Sequence, residues 1–435
     1  MVSCEVVILG DGVAASALAI GLLATGIRPL MLRRRLPEIA MAEALPAAAM
    51  RLLQALDLTA CVVSSALVTR GLDNRWHAAK PIQRDNRFIV VDRTEFAREL
   101  RDEAIRRGAQ ILDITERPQL LADKRGVSVR MSSGTALHKV AVDASGRAAA
   151  WSQPIARLRH LCAEIFAGPN EKHTVGLTLV RTREGWAYRL SFGDRATIGV
   201  LSPSHRRSTE IPCDVAENLE ISPHSFQWIG RRVAFPQWST HPIGENNLAI
   251  GDAALAHDPL SGQGIRFALS SALAARAVIR TILQRPSDRN WAQRFYDEFV
   301  TTERARHGAV LQSLYSRDFD FGAMRGSAHS LSDHNSPFLR GDETLHFSAR
   351  VEKAPILVDG FIESGEVVRL SYGSSVRWLG GFDLLSLRDM TQPRVSIPRL
   401  IERMGVAGGI SSQRAQSIIR WCYREGILAS SPSPF

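Results

Sequence analysis

Lysine is scarce in this chain of 435 residues: five, against 49 arginines among its 54 basic side chains. The formal charge of +10 is therefore an arginine charge, and guanidinium forks suit paired donation to phosphates and carboxylates. The same excess also describes a scattered basic surface, so an acidic macromolecular partner stays open and no stable nucleic-acid complex is expected. Cysteine pairing is missing too. Cys4, Cys61, Cys162, Cys213 and Cys422 are odd in number, widely spaced and never in CxxC, which excludes a disulfide framework and a cysteine metal site. No charged leader followed by an apolar run opens the chain, and no window approaches the roughly 18 apolar residues of a membrane span. These absences predict a cytoplasmic protein with buried free thiols, no metal and no membrane span. Its length allows two or three domains with their own cores.

What is present begins with Val6-Val7-Ile8-Leu9, a continuous apolar run of the kind a parallel strand buried on both faces requires. Gly10-Asp11-Gly12-Val13-Ala14-Ala15 follows as GxGxxA. Gly10 permits the tight turn, Gly12 lets backbone approach a pyrophosphate, and Ala15 keeps the helix close to its strand. The helix stops at Gly26 and a second strand, from Pro29 to Leu32, returns. That strand–turn–helix–strand unit binds nucleotide phosphate at the helix N-terminus. The acid that normally closes the second strand on a ribose is replaced by Arg33, with Arg34 and Arg35 behind it. Arginine there is one way to accept an NADP 2′-phosphate.

A second constellation, Leu248 to Ile265, favours FAD over NADP. Asp252 ends an apolar strand and can accept from a polyol chain. The Gly262-Gln263-Gly264 turn offers backbone amides at a helix start, suited to the O2/N1 edge of an isoalloxazine ring. No second GxGxxG provides a nicotinamide domain, so NAD(P)H would bind transiently or an external donor would deliver electrons.

These motifs, with Glu43-Ala44-Leu45-Pro46, Val91-Asp92-Arg93-Thr94-Glu95-Phe96 and Asp143-Ala144-Ser145-Gly146-Arg147, make residues 4 to 325 resemble the FAD-dependent monooxygenases and halogenases related to tryptophan halogenase. The resemblance implies an α/β fold: a Rossmann-type FAD-binding domain, an antiparallel-sheet substrate domain and, here, a small C-terminal winged-helix-like domain. The FAD domain is expected over 1–70, 88–150 and 236–325, the substrate domain over 71–87 and 151–235, and the C-terminal module over 341–435, after a polar linker at 322–340. Gly10, Gly12, Ala15, Arg33, Arg93, Asp252, Gly262, Gln263 and Gly264 are the expected FAD-binding set. Glu43, His257 and Pro259 are the candidate catalytic residues, and His77, Trp186 and Tyr188 the candidate substrate pocket.

The resemblance further implies O2 as co-substrate and oxygen transfer through a flavin C4a-hydroperoxide to an electron-rich aromatic ring. Halogenases of the group carry W-x-W-x-I-P and an oxidant-carrying lysine. The matching stretch here is Gly185-Trp186-Ala187-Tyr188-Arg189-Leu190, without the second tryptophan, and Lys80 is a lone lysine. Hydroxylation is therefore expected. The added C-terminal module is similar to that of family members acting on a peptidyl tryptophan in tryptophylquinone biogenesis, which implies a protein or peptide substrate and other maturation enzymes as partners. A halogenase, a small-aromatic hydroxylase, a flavin-dependent C=C reductase and a non-catalytic FAD-binding maturation or regulatory protein remain the alternatives.

Overall fold

The computed structural model describes residues 4–35, 41–63, 66–75, 82–123, 126–152, 155–157, 161–171, 176–182, 185–203, 207–315, 343–370 and 374–431. Trp76, His77, Lys80 and the expected linker at 322–340 lie outside them. The chain divides into two compact units, Met1–Gln284 with Tyr296–Gly326, and Arg285–Phe295 with Ser327–Phe435.

The first unit is built on a five-stranded parallel sheet. Its order is Asn247–Ala249, Val140–Asp143, Val6–Leu9, Pro29–Arg34, Gln110–Ile114. Val6–Leu9 and Val140–Asp143 are buried at every position, because both lie inside the sheet with a strand on each side. Leu9 pairs with Leu32 on one side and Asp143 on the other, so three strand ends reach one level beside the first turn. The helices Val13–Leu23 and Gly264–Gln284 pack together on this sheet. Their buried faces include Ala15, Ala17 and Ala19 on one and Ala272, Ala275 and Val278 on the other. Small side chains let the two backbones approach closely.

Gly264–Gln284 is long and apolar enough to cross a membrane by length and composition alone, with a mean hydropathy of 1.2 over its best window, although Arg266, Arg276 and Arg280 interrupt its apolar run. Most of that window is buried inside the fold, as a core helix requires.

A second, eight-stranded sheet carries Gln227–Val233, Leu161–Pro169, Arg195–Pro203, Trp186–Phe192, Gly176–Arg181, Leu67–Arg75, Ile82–Asp92 and Ala42–Leu45, in that order. It is antiparallel except where Gly176–Arg181 runs parallel to Leu67–Arg75. Residues 70 and 88 fall within strands of this sheet, so its strands run through both expected boundaries. Ala42–Leu45 belongs to it as well.

The second unit holds a three-stranded antiparallel sheet, with Thr344–Phe347 between Val395–Ser396 and Leu428–Ser431. A hairpin joins Val351–Val358 to Phe361–Arg369. The helix Ile397–Gly408 starts with proline in its first turn and ends on left-handed Gly409, following the usual Pro-in, Gly-out asymmetry. Ser411 then caps Ser412–Arg424 by accepting from the Arg414 N–H. Leu400, Met404, Ala415, Ile418, Ile419 and Cys422 close one core with the sheet. Trp421, on the last helix, is partly buried against the same core. Arg285 extends this unit, lying 3.9 Å above the Phe361 ring and 3.2 Å from a Glu363 carboxylate oxygen.

Candidate functional site

At the end of Val6–Leu9 the chain turns through Gly10, at φ +121°. A Cβ there would stand 2.4 Å from the Ala144 carbonyl oxygen, so only glycine fits. Gly12 is the N-cap of Val13–Leu23 and supplies no side-chain cap. A Cβ on Gly12 would meet nothing within 4 Å. Room is therefore left beside the start of the helix, where its first amides can receive an anion. Arg101 holds the intervening Asp11 carboxylate at 3.0 Å.

Asp143, at the end of the neighbouring strand, is buried and collects four donors. Its Oδ1 accepts from the Ser145 amide and hydroxyl at 3.0 and 2.6 Å, and its Oδ2 from the Trp151 amide and Ser152 hydroxyl, both at 2.7 Å. The loop so tied carries Arg147. That guanidinium donates to the carbonyls of Phe235 (2.6 Å) and His257 (2.8 Å), and its Nε lies 3.5 Å from Asp252 Oδ2. Gly251, at φ +56° and packed on Ala14, sets Asp252 beside the first helix. Farther along, left-handed Gly262 and open Gly264 lead into the long helix. The Gln263 side chain accepts from Arg266 Nε at 2.5 Å and donates to the Ser261 carbonyl at 3.3 Å, so it braces this turn.

Glu43 and Arg93 come from adjacent ends of the eight-stranded sheet and the helix that follows it. They pair at 3.3 Å. Burial raises the Glu43 carboxyl, Arg93 pulls it back, and the Asp252 charge raises it further. Tyr188 belongs to the same electrostatic group: burial raises its hydroxyl, Glu43 adds to the rise and Arg93 opposes it. The Trp186 ring, two residues away on the same strand face, lies 5.9 Å from the Tyr188 ring. Glu43, Arg93, Asp252, Tyr188 and Trp186 thus gather around one region although they come from four stretches of chain.

His257 behaves differently from an exposed base. It is buried between Phe267 and His307, at ring separations of 5.1 and 4.4 Å. Burial first, then the charge of Arg266, pushes it down to about 3, so the imidazole is neutral. Arg33 is also away from this group. It makes a two-pronged bond to Asp113 at 2.5 and 2.9 Å, and Arg35 joins the same carboxylate. The strand register places Arg33 directly opposite Asp113. These bonds hold Asp113 well below the usual carboxylate range.

Several members carried no local signal. Asp113, His307 and Tyr315 come from elements whose sequence patterns speak only of strand or helix. Arg147 stands within the Asp143–Arg147 motif, but its three-way contact depends on residues about 90 to 110 positions later. A separate cavity of about 60 Å³, bordered by Pro169, Arg189, Ile221 and Phe226, shares no residue with this group.

No protein-family model and no curated protein matches this chain. Solved structures do, and the class they define is that of flavin-dependent halogenase-like proteins, whose fold this chain has. The peptidyl tryptophan dihydroxylase QhpG, essential for tryptophylquinone cofactor biogenesis, is 22% identical with a TM-score of 0.72, over 98% of this chain and all of that one. The flavin-dependent halogenase CmlS is 17% identical with a TM-score of 0.74, over 100% of this chain and 97% of that one. The myxobacterial chondrochloren halogenase CndH is 18% identical with a TM-score of 0.59, over 72% and 82%.

Proposed function

We propose that the protein is an FAD-dependent monooxygenase that hydroxylates an electron-rich aromatic ring, a tryptophan within a protein substrate, during quinone-cofactor biogenesis. The observation that carries this reading is the whole-length likeness to the peptidyl tryptophan dihydroxylase, which extends over both compact units. FAD is supported by the uncapped helix start at Gly12, with room where a Cβ would stand, and by Asp252 held beside that helix. On this reading 1–70, 88–150 and 236–325 supply most of the cofactor domain, and 71–87 with 151–235 most of the substrate domain. The central strands of the eight-stranded sheet supply the substrate wall. Residues 341–435 form a winged-helix-like module that engages the protein substrate. The setting is cytoplasmic, with other maturation enzymes as partners.

Within that site the helix amides beyond Gly12 bind the pyrophosphate, Asp252 the ribityl hydroxyls, and the amides around Gly262–Gly264 the pyrimidine edge. Bound FAD, reduced by NAD(P)H or an external donor, supplies the activation of O2. The balance is one C–H, O2, two electrons and two protons giving one C–OH and one water. Trp186 and Tyr188 wall the ring's position and exclude water. Glu43, kept half-buried by the sheet and steadied by Arg93, takes the proton the ring carbon loses. Arg33, engaged by Asp113, steadies the adenosine end through the strand pair and leaves no free fork for a 2′-phosphate.

Halogenation is the second reading, favoured by the equally complete likeness to CmlS. Mass spectrometry of peptidyl and free aromatic substrates, after reaction with the pre-reduced flavoprotein under ¹⁸O2 with and without halide, separates the two. Labelled oxygen on a peptidyl tryptophan without halide is the expected result. Halide-dependent mass gain would replace hydroxylase by halogenase, and no label with FAD reduced and bound would leave a reductase or a non-catalytic FAD protein.

A further inference from the structure

Behind the candidate site lies a buried carboxyl that the proposed chemistry does not use. Asp258 is 1% exposed. It caps the turn Pro259–Ser261 by accepting from the Leu260 amide at 2.9 Å, and its backbone N–H donates to His307 Nε2 at 3.0 Å. The Tyr315 hydroxyl lies 3.3 Å from both of its carboxyl oxygens and donates there. His307 and Tyr315 sit eight residues apart on one helix, so both project from the same face.

We propose that Tyr315 and Asp258 form a buried hydrogen-bonded chain that couples the end of the helix carrying His307 to the Pro259–Gly264 turn, with Asp258 as its proton-holding end and Tyr315 as its positioning residue. The proposal rests on the reading of that turn as the FAD pyrimidine contact. Geometry gives the chain a direction: phenol O–H to carboxyl. Ionised Asp258 has no cation in hydrogen-bond contact among the described residues. Arg147, from the loop after Asp143, favours its charge from a distance but donates to carbonyls. Arg266 of the long helix is engaged by Gln263 and Glu303. His257 and His307, packed beside it, are both held neutral by burial. Consistent with this, burial raises Asp258 from 3.8 to about 6, against the opposing pull of Leu260, Tyr315 and Arg147. Gain or loss of one proton near neutral pH therefore alters the cap on the turn whose amides face the flavin.

Infrared difference spectroscopy of the full-length protein tests the chain without cofactor. A protonated-carboxyl band should titrate with a midpoint of about 6, vanish in Asp258→Asn, and shift its midpoint upward in Tyr315→Phe, which loses the donor that favours the charged form. With FAD bound, the flavin absorption should follow the same midpoint in wild type and become pH-independent in Asp258→Asn. An absent band, or an unchanged midpoint in Tyr315→Phe, overturns the chain. A titrating band beside a pH-invariant flavin spectrum overturns its coupling to the cofactor turn. A chain that binds no FAD overturns the functional reading and the flavin half of this inference, while the band still decides the rest. Should Asp258→Asn fail to fold, the Tyr315→Phe midpoint alone carries the decision.

Discussion

Gly10 and Gly12 are two residues apart in one motif, yet the structure gives them opposite jobs, and Gly→Ala at each separates them. At Gly10 the backbone has φ +121°, and a methyl would stand 2.4 Å from the Ala144 carbonyl oxygen and 2.9 Å from its carbon. The backbone strain alone costs about 1–3 kcal/mol. Relieving the clash must part the two strand ends. That weakens the bonds from the Gly10 amide to Leu32 and from the Ala144 amide to Leu9, both 2.9 Å and worth about 1 kcal/mol each. Against this, alanine restricts the unfolded chain and returns about 0.4–1 kcal/mol. The net loss for Gly10→Ala is roughly 2–4 kcal/mol. At Gly12 the backbone has φ −75°, which alanine adopts freely, and nothing in the protein meets the methyl. Gly12→Ala should therefore keep or slightly raise the unfolding temperature while blocking the approach of a pyrophosphate. A roughly hundredfold weaker FAD affinity corresponds to about 2.7 kcal/mol. Thermal unfolding without FAD and fluorescence titration with it read the two effects separately. Wild-type FAD affinity in Gly12→Ala, or wild-type stability in Gly10→Ala, would refute the reasoning.

Three further outcomes are expected. Glu43→Gln should leave FAD binding intact but lower product formation about a hundredfold or more, as loss of a proton acceptor does; pH–rate profiles should also lose their acidic limb, since the raised Glu43 carboxyl must be ionised to accept. Stability should carry the signature of Asp258. Its folded value lies above its unfolded one, so its contribution is complete below pH 3.8 and lost as pH rises through about 6. At about 1.4 kcal/mol per unit that is roughly 3 kcal/mol, and chemical denaturation of Asp258→Asn across this window should show a flatter pH dependence. In the second unit, Met404→Ala should cost about 2–5 kcal/mol, because Met404 is fully buried among Leu400, Ile418 and Ile419. Hydrogen exchange confined to residues 343–431 should report it, and unchanged protection there would count against a single shared core.

What the sequence made legible was local. The strand and helix of the first motif, the Pro29 strand, the Ser412–Arg424 helix and its stop at Gly426 each announce themselves by period, cap or glycine. The eight-stranded sheet was legible only as strand-like stretches. Its parallel pairing of Leu177 with Leu72 joins residues more than a hundred positions apart, and no local pattern encodes that choice. The same holds at the site. Arg33 reads as an open arginine until Asp113 arrives opposite it from the next strand. His257 reads as a candidate base until Phe267 and His307 enclose it. His77 falls outside the described residues.

The order of the parallel sheet also has a temporal meaning. Val6–Leu9 leaves the ribosome before its neighbour Val140–Asp143, which follows some 130 residues later, and the outer partner Asn247–Ala249 comes a further hundred after that. At about 5–20 residues per second, the first strand waits roughly 7–25 s for one flank, and the second then stands unpaired for about 5–20 s on its other edge. Both strands are wholly apolar apart from Asp143. Synthesis of this chain thus passes through an interval in which its future centre is an open, adhesive edge. Premature termination between residues 143 and 247 should yield aggregates, whereas a stop after the long helix has emerged should not.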